Sequence, residues 1–485
     1  MLMLQIPPKV QPIHNGRQTL LTTPQGGRVW VDRIMLEVWQ YADGRSKQDI
    51  LSHFAIDKGL PADRVAVALE CLAQAGLLAR LDSAPSVGPS PAPSSVGNPL
   101  ISALIVSYNS LAWLPGCLAS LAAQSLPPSE IIVVDNGSSD GSAAWLVEHH
   151  PDVIVLPREN TCSLAGAINQ GISVARGEFI LLLNPDVVLD RDALFRLWDA
   201  AQSDDRCAAV AAKLRLLWAP AFLNGVGNQV GALSWGMDNA LGHLDLGQFD
   251  HWDELPSACF AAALLPTRAL DQVGLLDDRF PMYYEDIEWC YRARWLGYKV
   301  RLAPGAIVYH AFSSRHPGAV ERSLGETKLQ RVVYGRLRFI TRLLEPGLLF
   351  RFLISYGVED LFNGLLCLFR GRWGEGRAYG RAWMEYLGSL SELRSARKSL
   401  RQRRPLADRE LFRLQRQVPV PLIRQGAPLL TWDIVCHEYL PWIQSHRPAR
   451  SKMSVRRAFS IWQVEGLYAL VHRLGRRALW KLMQP

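Results

Sequence analysis

The sequence predicts an α/β protein: a mostly parallel sheet with helices on both faces, preceded by a small winged-helix-like domain and followed by a helical C-terminal region. Three observations carry this expectation. Short apolar runs alternate with amphipathic stretches from residue 99 to about 316, a Pro/Ser/Gly segment at 82–98 sets that region apart, and from Glu321 onward the pattern is helical and basic. Strands that are apolar throughout are buried on both faces, which is the habit of parallel sheets.

At 485 residues the chain exceeds one ordinary core. It is 49% apolar and 20% charged with 16 Trp, the composition of a globular protein. The net charge of +8 gathers in the C-terminal third. The eight cysteines form neither a CxxC pair nor a zinc spacing, so they are expected as free thiols in a reducing compartment. The N-terminus lacks the charged head and apolar stretch of a secretory signal, so a cytoplasmic protein is expected.

Residues 1–81 form the first unit. Runs at 18–23 and 28–32 alternate as strands, and helical patterns begin near Arg33, Ser46 and Pro61. Ser46 before Lys47-Gln48-Asp49 is an N-cap, and Pro61 suits a first helical position. Val65, Val67, Leu69, Leu72, Leu77 and Leu78 line a core-facing stripe. A basic recognition helix is missing, which argues against a nucleic-acid partner. Residues 82–98 cannot bury enough apolar surface to fold and are a linker.

In the region after the linker, residues 99–316, strands are expected at 100–106, 131–135, 153–156 and 179–183, with helices at 111–124, 142–149 and 164–175. Ligands of such sheets sit beyond the carboxyl ends of the strands. Ser107, Tyr108 and Asn109 follow the first strand; Asp135 and Asn136 end the second before Gly137-Ser138-Ser139. Small residues there let a backbone approach a ligand and leave helix amides for phosphate, although a capped helix after a tight turn has the same composition. Asp135 can accept a hydrogen bond from a nucleobase imide or a ribose. The dinucleotide pattern GxGxxG is absent. Asn184-Pro185-Asp186 ends the fourth strand; it suits a turn, and its carboxylate also suits Mg²⁺ or Mn²⁺ when a diphosphate completes the shell.

Tyr283-Tyr284-Glu285-Asp286 opens a helix and puts a potential base beside flat aromatic faces. The same acids complement a helix dipole, and Glu288 with Arg292 forms an exposed i,i+4 pair. His310 ends a strand at 306–309, as a polar cap or as a ligand. Residues 219–254 read as a long irregular excursion.

Together these motifs, with Ala165-Gly166-Ala167-Ile168-Asn169, Asp278-Arg279-Phe280 and Val308-Tyr309-His310, resemble the inverting family 2 glycosyltransferases of the Rossmann-like GT-A fold, in particular the rhamnosyltransferase-like branch, over residues 100–404. The resemblance implies in-line transfer of a sugar from a nucleotide-diphosphate donor to an acceptor hydroxyl. It implies Asp286 as base with Glu285 beside it. Donor contacts fall on Ser107, Tyr108, Asn109, Asp135, Asn136, Gly166, Asn169, Asn184 and Asp186, and Mg²⁺ or Mn²⁺ on Asp186 and His310. The acceptor side falls on Trp235, Asp245, Tyr284 and Trp289. The acceptor is expected to be a glycan, lipid-linked in surface or exported polysaccharide synthesis, or else peptide-derived. Residues 27–31, Trp39, 43–46 and 72–78 resemble the PqqD-like family, which implies a peptide partner; a docking role fits the same residues. Further alternatives are a glycosyltransferase of a mycofactocin-like pathway and a non-catalytic scaffold.

Residues 317–405 form a basic helical extension, and the arginines of 329–344 and 379–404 suit either an anionic membrane surface or solvent. The apolar region 347–369 is interrupted by Arg351, Glu359 and Asp360, so no membrane span is expected, only peripheral contact on the inner face. Residues 406–485, with a long helix over 454–483, form a C-terminal region of unassigned role.

Overall fold

The computed structural model describes residues 3–8, 10–15, 18–80, 99–158, 163–230, 236–312, 325–403, 406–414, 421–424 and 426–446. The expected linker at 82–98 and the expected helix at 454–483 lie outside the described residues.

The strands Ile101–Ser107, Glu130–Asp135, Ile154–Pro157 and Phe179–Leu183 run parallel, in the spatial order third, second, first, fourth. Every residue of Phe179–Leu183 is buried, as its unbroken apolar run requires. The winding reverses between the first and fourth strands, so a crevice opens past Ser107 and Leu183. Beyond the fourth strand the sheet is mixed. Ala262–Pro266 lies antiparallel between Phe179–Leu183 and Cys207–Leu216, and Lys299–His310 runs parallel to the latter. An apolar run buried on both faces looks the same in either direction, so sequence periodicity carries no sign of this reversal.

Residues 219–254 are more regular than expected. Ala219–Val226 pairs with Cys207–Leu216, and Asn228–Val230 forms a ribbon with Gly236–Asp238. Between them Gly227 has φ +69°, and a Cβ there would lie 2.5 Å from Ser257 O.

In the N-terminal unit the expected strands and helices form, with Ser46 Oγ accepting from Asp49 N at 3.1 Å as the N-cap. Its sheet is completed from the far end of the chain. Ala427–Leu430 adds in parallel to Arg28–Asp32, with Leu429 opposite Trp30 and Leu430 opposite Val31. Trp30 Nε1 donates to Arg424 O at 3.0 Å, and Asp32 Oδ2 accepts from Trp432 N at 3.0 Å. Leu429, Leu430, Ile434, Val435 and Tyr439 share one core with Leu21, Val31 and Leu72. Residues 421–446 therefore belong to the first unit. An extended peptide binds a sheet by pairing with an open edge strand, and here the chain itself occupies the edge beside Arg28–Asp32.

The helices Glu326–Leu343, Pro346–Phe369, Trp373–Gly388 and Leu390–Gln402 follow the sheet. Three of the four arginines of the first, Arg336, Arg338 and Arg342, face neither lipid nor solvent, while Arg331 is half-buried. Arg336 and Arg338 are fully buried. Arg342 pairs with Glu288 at 3.2 Å and with Asp277 at 2.9 Å, Arg338 with Asp277 at 2.6 Å and Glu392 at 2.9 Å, and Arg336 with Asp360 and Glu359. Glu288, expected on the surface, is wholly buried and also holds Arg292 at 3.1 Å. Burial pushes its carboxyl up, but the guanidinium groups of Arg292 and Arg342 hold it below the usual glutamate range. Helical spacing shows which residues share a face; it does not show a partner more than fifty positions away.

Two outcomes follow from this packing. Glu288→Ala leaves two buried guanidinium groups short of a carboxylate and should lower unfolding stability by about 3–5 kcal/mol in a denaturant titration; a loss under about 1 kcal/mol would contradict the buried lattice. Deleting residues 421–485 should open the first unit to proteolysis within residues 18–74, whereas unchanged protection would show that its sheet needs no added strand.

Candidate active site

The crevice at the winding reversal is bordered by two cross-linked loops. Ser107 and Asp135 are parallel neighbours, and Asn136 N donates to Ser107 O at 2.8 Å. Asp135 is buried and accepts from Ser138 Oγ and, at 3.2 Å, from Ser138 N. Asn109, at φ +49°, accepts from Ser139 N through Oδ1 at 2.8 Å, so it ties one loop to the other. Asn136 is buried, Tyr108 is exposed above the loops, and Ser107 Oγ is buried with no partner among the described residues. Two other expected donor contacts are engaged elsewhere. Gly166 N donates to the N-cap Ser163 Oγ at 3.1 Å, and the Asn169 amide clasps Leu276 through both its atoms, at 2.8 and 3.1 Å.

At the centre, Val187–Leu189 pairs antiparallel with Lys299–His310, and Ala311 N donates to Asp186 O at 3.0 Å. This brings His310 Nε2 to 3.2 Å from Asp186 Oδ1 and 3.3 Å from Asn184 Nδ2. His310 Nδ1 lies 2.6 Å from Asn224 Oδ1, an atom that only accepts, so the hydrogen is assigned to Nδ1. The Nε2 lone pair then faces a carboxylate oxygen, an arrangement suited to a cation held between them. Among the described residues no cluster of three His, Cys, Asp or Glu side chains is placed to hold a metal. Asp186 and His310 are two side chains, and a cation held by two protein groups needs phosphate oxygens and water to complete its shell.

Opposite this pair, Tyr283 and Tyr284 adopt φ of +70° and +69° and turn the chain into the helix Glu285–Trp295. Consecutive non-glycine residues in the left-handed region are strained and persist only where the surroundings hold them. Here Gly236 N donates to Tyr284 Oη at 2.7 Å, and the Tyr284 ring packs 6.1 Å from that of Phe339. Asp286 accepts from Ile287 N and from Asn228 Nδ2, each at 2.7 Å. Glu285 is buried and its Oε2 finds no partner among the described residues. Burial, and then the neighbouring Asp286, push its carboxyl up to about 8; burial also raises Asp286. Asp238, on the ribbon opposite Asn228, is pushed up to about 7 by burial and by Asp286, while His310 and Lys328 pull it down. Asn228 meets Asp286 and lies opposite Asp238, and Asn224, four residues earlier, meets His310, so one stretch of chain links these groups along the cleft.

The expected acceptor side is the part most altered. Trp235 lies outside the described residues. Asp245 is buried in ion pairs with Lys213 at 3.3 Å and Arg215 at 2.6 Å. Trp289 is fully buried, with Nε1 donating to Gly274 O at 2.8 Å, and Tyr284 is buried in the turn described above. These three side chains are structural. In their place the structure brings Asp238, Asn228 and Asn224 to the cleft. The signal for them was polar residues recurring at 224, 228 and 238 within a strand-like, glycine-punctuated stretch.

Residues 102–215 match the model of Glycosyl transferase family 2. The chain is 34% identical over 110 residues to "Glycosyltransferase GlyG" of Streptococcus pneumoniae, covering 22% of this chain and 36% of that protein. It is 26% identical over 203 residues to "Low-salt glycan biosynthesis hexosyltransferase Agl10" of Haloferax volcanii, covering 40% and 61%. The chain thus spans only part of the length of these curated relatives. Among solved structures it is similar to the mannosyltransferase PcManGT from Pyrobaculum calidifontis in complex with GDP-Man and Mn²⁺ (TM-score 0.38, 15% identity, 70% of this chain and 98% of that one). It is also similar to GalNAc-T7 with UDP, GalNAc and Mn²⁺ (TM-score 0.44, 14% identity, 74% and 60%). The segment similar to Glycosyl transferase family 2 holds Ser107, Asp135 and Asp186 and ends before Asn224, Asp286 and His310.

Proposed function

We propose that this chain moves a sugar, hexosyl or rhamnosyl, from a nucleotide-diphosphate donor to an acceptor hydroxyl in one displacement that inverts the anomeric centre. The observation that carries the reading is the pair Asp186 and His310, 3.2 Å apart beyond the ends of the parallel strands and linked through the stretch bearing Asn224 and Asn228 to Asp286. The match of residues 102–215 supports the reaction class, and the glycan-synthesis name of one relative supports a glycan acceptor.

Tyr108 offers an exposed ring to a nucleobase and Asp135 accepts from its imide. Asp186 and His310 would hold Mg²⁺ or Mn²⁺, which when bound acts as a Lewis acid on the departing diphosphate. The mixed nitrogen and oxygen set favours Mn²⁺, since Mg²⁺ prefers oxygen alone. Asp286 takes the acceptor's proton as its oxygen attacks, with Asn228 fixing one carboxylate oxygen. Glu285 remains protonated at neutral pH, so the ionised member of this buried pair is Asp286.

Asp286→Asn should lose about 10²–10⁴-fold in kcat while binding donor normally; near-normal turnover would remove the assigned base. Asp186→Ala should weaken donor binding in the presence of Mn²⁺ and make little difference in its absence. The raised carboxyl of Asp286 should place the acid limb of kcat/KM above the ordinary aspartate range, with activity falling as pH falls through it. Glu285 gives a separate signature in stability. Its native pKa of about 8 exceeds the unfolded value of 4.5, so its contribution is full below pH 4.5 and is lost as pH rises to about 8. Glu285→Gln should therefore match wild type in melting temperature near pH 4 and gain on it steadily up to pH 8. A constant difference across that range would contradict the raised carboxyl.

A further inference from the structure

The helix Pro346–Phe369 presents an apolar stripe that no other described residue covers. Phe350, Ile354, Val358, Leu361, Leu365 and Phe369 are each more than half exposed. At 3.6 residues per turn they fall within about one third of the circumference, over roughly 28 Å of axis. Trp373, Met384 and Leu387 on the neighbouring helix Trp373–Gly388 are equally exposed. Both helices rest on Glu326–Leu343. Arg336 lies 4.2 Å over the Tyr356 ring and pairs with Asp360, while Tyr386 Oη meets Thr341 Oγ1 at 2.9 Å. Their exposed apolar residues point away from that support. A surface of this extent is rare on a soluble monomer.

The charge around the stripe identifies what covers it. Arg351, Arg370 and Arg377 are exposed and carry no ion pair among the described residues. The acids of these two helices are engaged: Glu359 and Asp360 with Arg336, Glu375 with Arg372, and Glu385 with Gln330. A two-fold contact with a second copy would set arginines against arginines. Every charged side chain in residues 447–485 except Glu465 is basic, so the chain's own terminus would meet the same repulsion. An anionic surface meets none. The next helix adds Arg394, Lys398 and Arg401 around one surface hollow.

The helix is long and apolar enough to cross a membrane by length and composition, although the sequence reading expected no such span. Crossing would draw Asp360 away from Arg336 and from Trp383 Nε1, which donates to it at 2.8 Å. We infer that the exposed face of Pro346–Phe369, with that of Trp373–Gly388, lies flat on an anionic lipid surface, apolar side chains among the acyl chains and arginines at the headgroups. This keeps only part of the surface the sequence suggested: Arg394, Lys398 and Arg401 remain outside, whereas Arg336, Arg338 and Arg342 are buried inside the protein.

The test is flotation of the full chain with phosphatidylglycerol/phosphatidylcholine vesicles and with phosphatidylcholine vesicles, for wild type and for the double variant Ile354→Glu, Leu361→Glu. Wild type should float with the anionic vesicles and be released by alkaline carbonate. The variant should partition at least ten-fold more weakly with an unchanged melting temperature. Four results would overturn the inference: equal binding by variant and wild type; equal binding to neutral and anionic vesicles; resistance to carbonate, which marks a spanning helix; or no vesicle binding. In the last case, a dimer dissociated by the variant identifies a second copy as the cover, and vesicle binding gained on deleting residues 447–485 identifies the chain's own terminus.

Discussion

The position of Asp286 depends on buried charge behind it. The helix that begins at Glu285 is held through Glu288 and Arg292 to Arg342, Asp277, Arg338 and Glu392, an ion lattice that crosses from the sheet unit to the C-terminal helices. Burying so many charges is costly, and apolar substitutes are often as stable. What the lattice provides is a single register between two helices. That register sets Gly335 against Tyr283 and Tyr284, where a Cβ would lie 3.2 Å from the Tyr284 ring, and so supports the strained turn that aims Glu285 and Asp286 into the cleft. The helices beyond the sheet are in this sense part of the candidate site's architecture.

A second constraint works from the other side. The ribbon carrying Asn228 and Asp238 runs on into residues 239–252, and these are held by the chain's last described segment. Leu422 N donates to Leu241 O at 2.9 Å, Leu244 N to Tyr439 Oη at 2.9 Å, and Trp442 Nε1 to Leu246 O at 3.0 Å. That segment is itself a strand of the N-terminal sheet. The first unit, instead of standing apart on its linker, braces the wall of the cleft that carries Asn228 and Asp238.

Local chemistry was the legible part of the sequence. Ser46 as a cap, the apolar run Phe179–Leu183, and Asp135 and Asp186 at strand ends all follow from patterns within a few residues. The pairing of His310 with Asp186 was expected from resemblance, and its reason, Asn224 fixing the imidazole hydrogen, required the fold. What stayed hidden depends on distant partners. Trp289, Asp245 and Glu288 look like surface or ligand residues until their carbonyl or guanidinium partners are known. Strand direction at Ala262–Pro266 and the added strand Ala427–Leu430 are likewise long-range facts with no local signature.

The central claim, a donor site completed by a cation between Asp186 and His310, is tested most directly by calorimetric titration of the full chain with UDP-, dTDP- and GDP-sugars in Mn²⁺ and in EDTA. One nucleotide class should bind in Mn²⁺ and lose at least ten-fold in affinity in EDTA. Equal affinity in both, or no binding by any donor, would contradict it.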